Sequence, residues 1–240
     1  MKLNLAAIFR IILYIGIFSS TLPLVFFLLF KRNSQQKTLR VVLFYVLYCV
    51  FNDGLSFYLQ TIGSRIIFYL LYAFTIVEYS FICYFIYLVL PKNLIKKIVL
   101  IAWFSFLLIA FADYISFNPK REFDSFVIGI ESIIILLLCI YYLFSQIKGS
   151  NSLLIYSTFN FWVVIAFFIY FSGTFFLYLF TDKMGSSLAF QKIYFIINIS
   201  FNILKNILLC VAMTMKINDT VNLQKTIIPN LDDDLFIKTK

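Results

Sequence analysis

The sequence contains no histidine, and only 13% of its 240 residues are Asp, Glu, Lys or Arg. Soluble domains carry about 25% charged residues, so the shortage of charge argues against a soluble fold. No serine–histidine pair, GxSxG, HExxH or glycine-rich phosphate loop is present. An enzyme built from these residues would need acid–base chemistry from carboxylates or lysine alone, so an enzymatic function is not favoured.

Cysteine is also scarce, and its four copies are isolated from one another. Each lies inside an apolar run, and none forms a CxxC or CxxH pair: Cys49, Cys83, Cys139 and Cys210. Zinc sites and disulfide frameworks need closely spaced ligands or paired cysteines. We therefore predict that the four cysteines are small apolar fillers and that the chain holds no metal.

Apolar residues are abundant instead, at 62% of the chain with a mean hydropathy of +0.96. In lipid the backbone must satisfy its own hydrogen bonds, so only helices or a closed barrel can span. The apolar runs are about 20 residues long and do not alternate with polar residues, which selects helices over barrel strands. The sequence therefore predicts an all-α membrane protein.

Seven apolar runs have spanning length, and they predict a polytopic seven-transmembrane-helix bundle over residues 1–216. The expected spans are about 11–30, 41–61, 66–90, 98–116, 125–147, 153–180 and 190–215. Residues 217–240 are polar and include the acidic run Asp232–Asp234. We interpret this segment as a solvated cytoplasmic tail or, alternatively, as a docking peptide for a cytoplasmic partner.

Positive charge in the short loops sets the expected orientation. Residues 31–40 carry four Lys or Arg and residues 91–97 carry three. Cytoplasmic loops are enriched in Lys and Arg, so these two loops are expected inside. The N-terminus then lies outside and the C-terminus in the cytoplasm of a multi-pass inner (cytoplasmic) membrane protein. The net charge of +9 reflects this topology and contact with anionic lipid rather than nucleic-acid binding.

The last span, residues 190–215, carries a lysine near its middle. Gln191, Tyr194, Asn198, Asn202 and Lys205 follow at spacings of three or four, so they share one helix face. A lysine at mid-membrane depth is costly and usually faces a bundle interior or a water-filled cavity. We expect this stripe to face the interior.

Acidic residues in other spans lie at related depths. At about 1.5 Å per residue, Glu78 and Lys205 come to the same level, with Asp53 slightly outward. Glu131 and Asp113 lie closer to the outer face. The simplest pairing joins Lys205 with Glu78 or with Asp53. The candidate ligand-binding or ion-relay residues are Lys205, Glu78, Asp53, Asn198, Asn202, Glu131, Asp113 and Tyr79.

Two interpretations of this cluster remain open at the level of sequence. The polar groups can hold the bundle together as interhelical contacts. They can also line an outward-facing pocket, because one lysine cannot neutralise Asp53, Glu78 and Glu131 together. The second interpretation predicts a receptor-like signalling module with a small-molecule or ion ligand and a cytoplasmic partner that contacts the inner loops and tail. A small solute or ion transporter using these groups, and a structural or assembly subunit, are the alternatives.

The carboxylate of the third span and the lysine of the seventh resemble the arrangement in microbial rhodopsins. Val77-Glu78-Tyr79-Ser80 is similar to the helix-three run of heliorhodopsins, although those proteins have the opposite topology. The resemblance implies retinal bound to Lys205 as a Schiff base, with Glu78 as counterion. This chain departs from the family pattern at Phe201, four residues before Lys205, and at Thr75, one turn before Glu78.

The runs FSGTFFLYLF and NISFNILKNILLCVAM, in the last third of the chain, are similar to uncharacterised seven-helix inner-membrane proteins of Bacteroidetes. That resemblance implies a membrane location and no particular activity.

Overall fold

A computed structural model of the chain describes residues 5–30, 36–64, 66–90, 93–115, 125–148, 156–184 and 188–215. Seven helices run through these residues: α1 (Leu5–Leu29), α2 (Lys37–Ile62), α3 (Ile66–Val89), α4 (Asn93–Ile115), α5 (Ser125–Ile147), α6 (Phe159–Met184) and α7 (Leu188–Thr214). The prediction of an all-α helical bundle is confirmed.

Six of the helices, α2 to α7, are long and apolar enough to cross a membrane. In α1 the corresponding apolar stretch is Tyr14–Leu29. Large apolar side chains on the outside of the bundle are exposed, as Phe104, Leu108 and Phe111 on α4 illustrate. A surface of this kind is stable in lipid and not in water, because lipid requires no polar coat. The bundle is therefore a multi-pass membrane structure.

Three helices begin five or six residues away from the expected start of their span. α1 begins at Leu5 rather than near 11, α4 at Asn93 rather than near 98, and α6 at Phe159 rather than near 153. The sequence IKK at 95–97 continues the helix because Lys is a good helix former whose charge can reach the membrane surface. The predicted tail, residues 217–240, and its acidic run lie outside the described residues.

A tight turn joins α2 to α3. Gly63 has a φ of 68°, in the left-handed region, and its backbone N–H donates to the carbonyl of Gln60. The N–H of Ser64 donates to the carbonyl of Leu59. This pair of bonds closes a helix end in the Schellman manner and needs glycine at the positive φ. The turn returns the chain at once, so α2 and α3 are antiparallel neighbours.

Six helices form a ring. α1 packs against α2 and α7, α2 against α3, α3 against α5, α5 against α6, and α6 against α7. α4 lies outside this ring and packs on α3 and α5. Neighbours in the chain are antiparallel, as shown by contacts such as Tyr48 with Phe74 between α2 and α3 and Tyr178 with Tyr194 between α6 and α7.

The two ends of the ring differ in packing. We call the end at which α2, α4 and α6 begin the packed end, because apolar side chains fill its interior. Leu39, Ile86, Phe159, Val163 and Met213 are each fully buried there. We call the opposite end, at which α3, α5 and α7 begin, the cavity end. The charge rule predicts that the cavity end faces outward, and this orientation remains a prediction.

Candidate functional site

A cavity of about 260 Å³ lies inside the ring, between the midplane and the cavity end. Side chains from α2, α3, α5, α6 and α7 line it. Much of the wall is aromatic, with Phe68 and Phe74 from α3 and Phe171 and Tyr170 from α6. Most of the polar groups lie on α2, α3 and α7, and α5 contributes one glutamate. An apolar cavity with a few convergent polar groups is the usual form of a small-molecule site.

A three-residue chain of polar contacts forms the floor of the cavity. The ammonium of Lys205 donates to the Tyr45 hydroxyl over 2.9 Å, and that hydroxyl donates to Glu78 Oε1 over 2.7 Å. Lys205 Nζ also lies 3.8 Å from the same carboxylate oxygen. The chain joins α7, α2 and α3 at one level, so the opposite charges of Lys205 and Glu78 compensate each other inside the bundle.

Aromatic rings hold this floor in place. Tyr45 meets the ring of Phe167 edge-on at 5.3 Å between centroids. Lys205 Nζ lies 4.4 Å from the centroid of Tyr170, where the ring face attracts a cation. Tyr45 and Lys205 are both buried, so neither the hydroxyl of Tyr45 nor the ammonium group of Lys205 is exposed to lipid.

A second polar network extends from the cavity to α1. Ser20 on α1 donates to Asp53 Oδ2 over 2.6 Å, and Asp53 lines the cavity. Asn206 on α7 donates through Nδ2 to Ser19 over 3.0 Å and to Ser20 over 3.5 Å. Asn206 directly follows Lys205, so two consecutive residues of α7 connect to the floor and to α1.

The polar stripe predicted on α7 turns inward over most of its length. Tyr194, Asn198, Asn202 and Lys205 all line the cavity. Gln191, one turn before Tyr194, is exposed. The spacing of three and four residues therefore positions four polar side chains along one wall, as helical geometry requires.

Glu131 is the most unusual group of the wall. It lies in the second turn of α5, is 2% exposed, and lines the cavity. Its Oε1 atom has no hydrogen-bond partner among the described residues. On α2, Asn52 Oδ1 and Ser56 Oγ also line the cavity without such a partner. Buried polar atoms are nearly always paired, so these three atoms are candidates for hydrogen bonding to water or a ligand in the cavity.

Two residues predicted for the site lie elsewhere. Tyr79 points to α4, where its hydroxyl donates to the Ala102 carbonyl over 3.0 Å and its ring packs on Phe106 at 4.0 Å. Asp113 is on α4, outside the ring, and does not line the cavity. Its Oδ2 atom is buried without a partner among the described residues. The other six predicted residues surround the cavity.

Four residues of the two networks were not among the predicted site residues: Ser19, Ser20, Tyr45 and Asn206. Tyr45 lies two helical turns before Asp53, on the same face of α2. Ser19 and Ser20 are adjacent hydroxyls inside an apolar run, and Asn206 follows a buried lysine. Polar residues at the depth of a known intramembrane charge are therefore the signal that would have identified them.

Within the described residues, no group of three or more His, Cys, Asp or Glu side chains could hold a metal ion. No protein-family model matches this chain, and no curated protein or solved structure is significantly similar to it.

Proposed function

We propose that this protein is a receptor-like membrane module that binds a small ligand in the cavity and signals through the packed end. The observation that carries the proposal is a cavity with three orphaned polar atoms at one end of the bundle and a filled apolar interior at the other. A purely structural polar core would use its polar atoms to pair the helices. Among the described residues, six buried polar atoms lack a hydrogen-bond partner. Three of them line the cavity, and the other three are Gln36 Oε1, Asp113 Oδ2 and Asn160 Oδ1.

The floor of the cavity supports a one-sided site. Below Lys205, Tyr45 and Glu78 the interior is occupied by Ile82, Phe85 and other fully buried apolar side chains. A ligand entering from the cavity end would meet the floor and stop. With the predicted orientation, this places the ligand on the outer side and the loops and tail on the cytoplasmic side.

The same contacts supply a route for a signal. A ligand that changes the position of Glu78 or Asp53 also changes their bonded partners on α2, α7 and α1. These helices end or begin at the packed end, where a cytoplasmic partner would contact the inner loops and the tail. Coupling of this kind needs an element with two arrangements, and the α1–α7 contact through Asn206 is the element we propose.

A small solute or ion transporter is the second candidate. Its support is the combination of carboxylates and a lysine at mid-depth, which are typical of ion pathways in membranes. Transport would require the floor to open toward the packed end. The two candidates therefore differ in whether any solute crosses the bilayer.

Retinal binding is the third candidate, and it is supported by Lys205 lining the cavity with Glu78 3.8 Å away as a counterion. Schiff-base formation would take the lysine from its contact with Tyr45. Addition of retinal to the purified protein tests it: visible absorbance that disappears in Lys205→Ala would support this candidate, and no absorbance would remove it.

The receptor proposal can be tested without knowing the ligand. Cys49 lines the cavity, whereas Trp162 lies in the first turn of α6 at the packed end, where its Nε1 donates to the Tyr156 carbonyl. Modifying Cys49 with a small methanethiosulfonate reagent fills part of the cavity. In a Trp103→Phe background, Trp162 is the remaining tryptophan and reports on the packed end.

We expect the modification to change the fluorescence of Trp162 in intensity or wavelength. The Cys49→Ser variant, treated identically, is the control and should show no change. A Trp162 signal that stays constant while Cys49 is fully modified would contradict signalling through this end. Uptake of a radiolabelled solute by proteoliposomes, absent in liposomes alone, would favour the transporter.

A further inference from the structure

We propose that the ligand is a small organic ammonium ion whose charged nitrogen pairs with Glu131. This inference rests on the proposed function, because it specifies the chemical class of the molecule that enters the cavity. It follows from which carboxylates of the cavity already have hydrogen-bond or ion-pair partners in the protein.

The three carboxylates of the cavity differ in their partners. Glu78 is 3.8 Å from Lys205 and accepts from the Tyr45 hydroxyl. Asp53 accepts from Ser20 on α1. Glu131 Oε1 has no partner in the part of the chain that the structure describes. Glu131 is therefore the carboxylate of the cavity that can pair with the charge of a bound ligand.

Lys205 cannot supply the missing charge to Glu131. Its ammonium is held by Tyr45, Glu78 and the face of Tyr170. For the same reason Lys205 is not a free anchor for an anionic ligand. With one lysine against three acids along the described wall, the cavity has an excess of negative charge that favours a cation.

An ammonium group would supply both the positive charge and the hydrogen-bond donors that the carboxylate of Glu131 lacks. A buried carboxylate is stable in its charged form only when it is paired and hydrogen-bonded. An alkylammonium brings a positive charge and up to three N–H donors to one point. Asn52 Oδ1 and Ser56 Oγ, one turn apart on α2, offer further acceptors inside the same cavity.

The rest of the wall favours an organic cation over a bare metal ion. The described residues contain no group of three or more His, Cys, Asp or Glu side chains that could hold a metal ion. Phe68, Phe74 and Phe171 instead provide apolar surface, and aromatic faces also attract organic cations. The cavity of about 260 Å³ is slightly below the roughly 300–1,000 Å³ typical of drug-sized ligands, so the ligand is small.

The test uses three probes that share a phenylethyl body and differ in the end group: 2-phenylethylamine, 2-phenylethanol and 3-phenylpropanoate. Binding to the full-length protein in detergent is measured by the shift in melting temperature and by calorimetry. We expect the amine to raise the melting temperature with a saturable dose dependence, and the alcohol and the acid to give smaller shifts or none.

Glu131→Gln is the diagnostic variant, because it keeps the shape of the side chain and removes the charge. We expect it to weaken amine binding roughly 30-fold or more, as when one partner of a buried charge pair is removed. Asp113→Asn is the matched control. It neutralises another carboxylate that has one buried, unpaired oxygen, but this one is on α4 away from the cavity, and the variant should bind the amine as the wild type does.

The possible results test the ammonium inference and the receptor proposal separately. Binding of the amine that is lost in Glu131→Gln and kept in Asp113→Asn supports both. If the alcohol or the acid binds as well as the amine, or if Glu131→Gln binds the amine normally, the ammonium inference is overturned and the ligand cavity stands. If none of the three probes binds, the ammonium inference fails, and the Cys49 and Trp162 experiment decides whether the receptor proposal fails with it.

Discussion

Lys205 Nζ and Glu78 Oε1 lie 3.8 Å apart in the middle of the bundle, and the hydroxyl of Tyr45 bridges them. The three residues belong to α7, α3 and α2, so one chain of contacts ties three helices at one depth. The Coulomb attraction of a buried pair offsets the cost of taking both charges out of water only when the remaining hydrogen bonds are made. Tyr45 makes one such bond to each partner.

Replacing Lys205 with Met should destabilise the protein by on the order of 3–5 kcal/mol, because Glu78 is left buried with an uncompensated charge. Thermal unfolding in detergent measures this loss. The double variant Lys205→Met with Glu78→Gln should recover most of the stability, since neither charge remains. Equal destabilisation in the single and double variants would contradict a coupled pair.

Tyr45→Phe should cost about 1–3 kcal/mol, because it removes the bridging hydroxyl and keeps the ring. Tyr48→Phe is the matched control. Tyr48 lies on the same helix and its ring stacks on Phe74 at 5.6 Å, a contact that Phe retains. If both variants melt at the wild-type temperature, the hydroxyl of Tyr45 does not hold the pair together.

Gly173→Ala should be strongly destabilising. A Cβ at this position would overlap the ring of Phe201, so α6 and α7 could not keep their present approach. Gly54→Ala provides the comparison, because nothing lies within 4 Å of its Cβ position. Alanine there should be neutral or stabilise α2 by up to about 1 kcal/mol. The reverse order of the two melting temperatures would contradict this packing of α6 against α7.

Ser20→Ala removes the donor that Asp53 has on α1, at a cost of about 0.5–2 kcal/mol. It should also loosen α1, which can be measured as faster hydrogen exchange or proteolysis of that helix. Ser172→Ala is a suitable control, since Ser172 is exposed and donates to the Ile169 carbonyl of its own helix. If hydrogen exchange in α1 is the same in the Ser20→Ala protein as in the wild type, the contact between Ser20 and Asp53 does not anchor α1.

Much of the fold could be predicted from the sequence, because lipid admits few structures. Apolar runs of spanning length indicate helices, and counting residues from the helix ends put Lys205 and Glu78 at one depth. The structure has these two residues in contact. The helical spacing of Asn198, Asn202 and Lys205 likewise indicated one polar face, and all three line the cavity.

Other features depend on how the helices are arranged around the ring, which the sequence does not encode locally. Depth alone could not distinguish Glu131, which faces the cavity, from Asp113, which lies on the helix outside the ring. Nor could it show that Tyr79 turns toward α4 while Tyr45 bridges the charges. These outcomes follow from the rotation of each helix about its own axis, and that rotation is set by packing against several neighbours at once.

The most direct measurement is the sidedness of Cys49 in membrane vesicles. A protein that keeps Cys49 and carries Ser at 83, 139 and 210 is treated with a membrane-impermeant cationic methanethiosulfonate reagent, in right-side-out and in inside-out vesicles. Cys49 lines the cavity, apolar side chains fill the packed end, and the charge rule predicts that the cavity end faces outward, so we expect modification in right-side-out vesicles alone. Modification from the cytoplasmic face, at an equal or higher rate, would contradict a cavity that opens outward and is closed below Lys205 and Glu78.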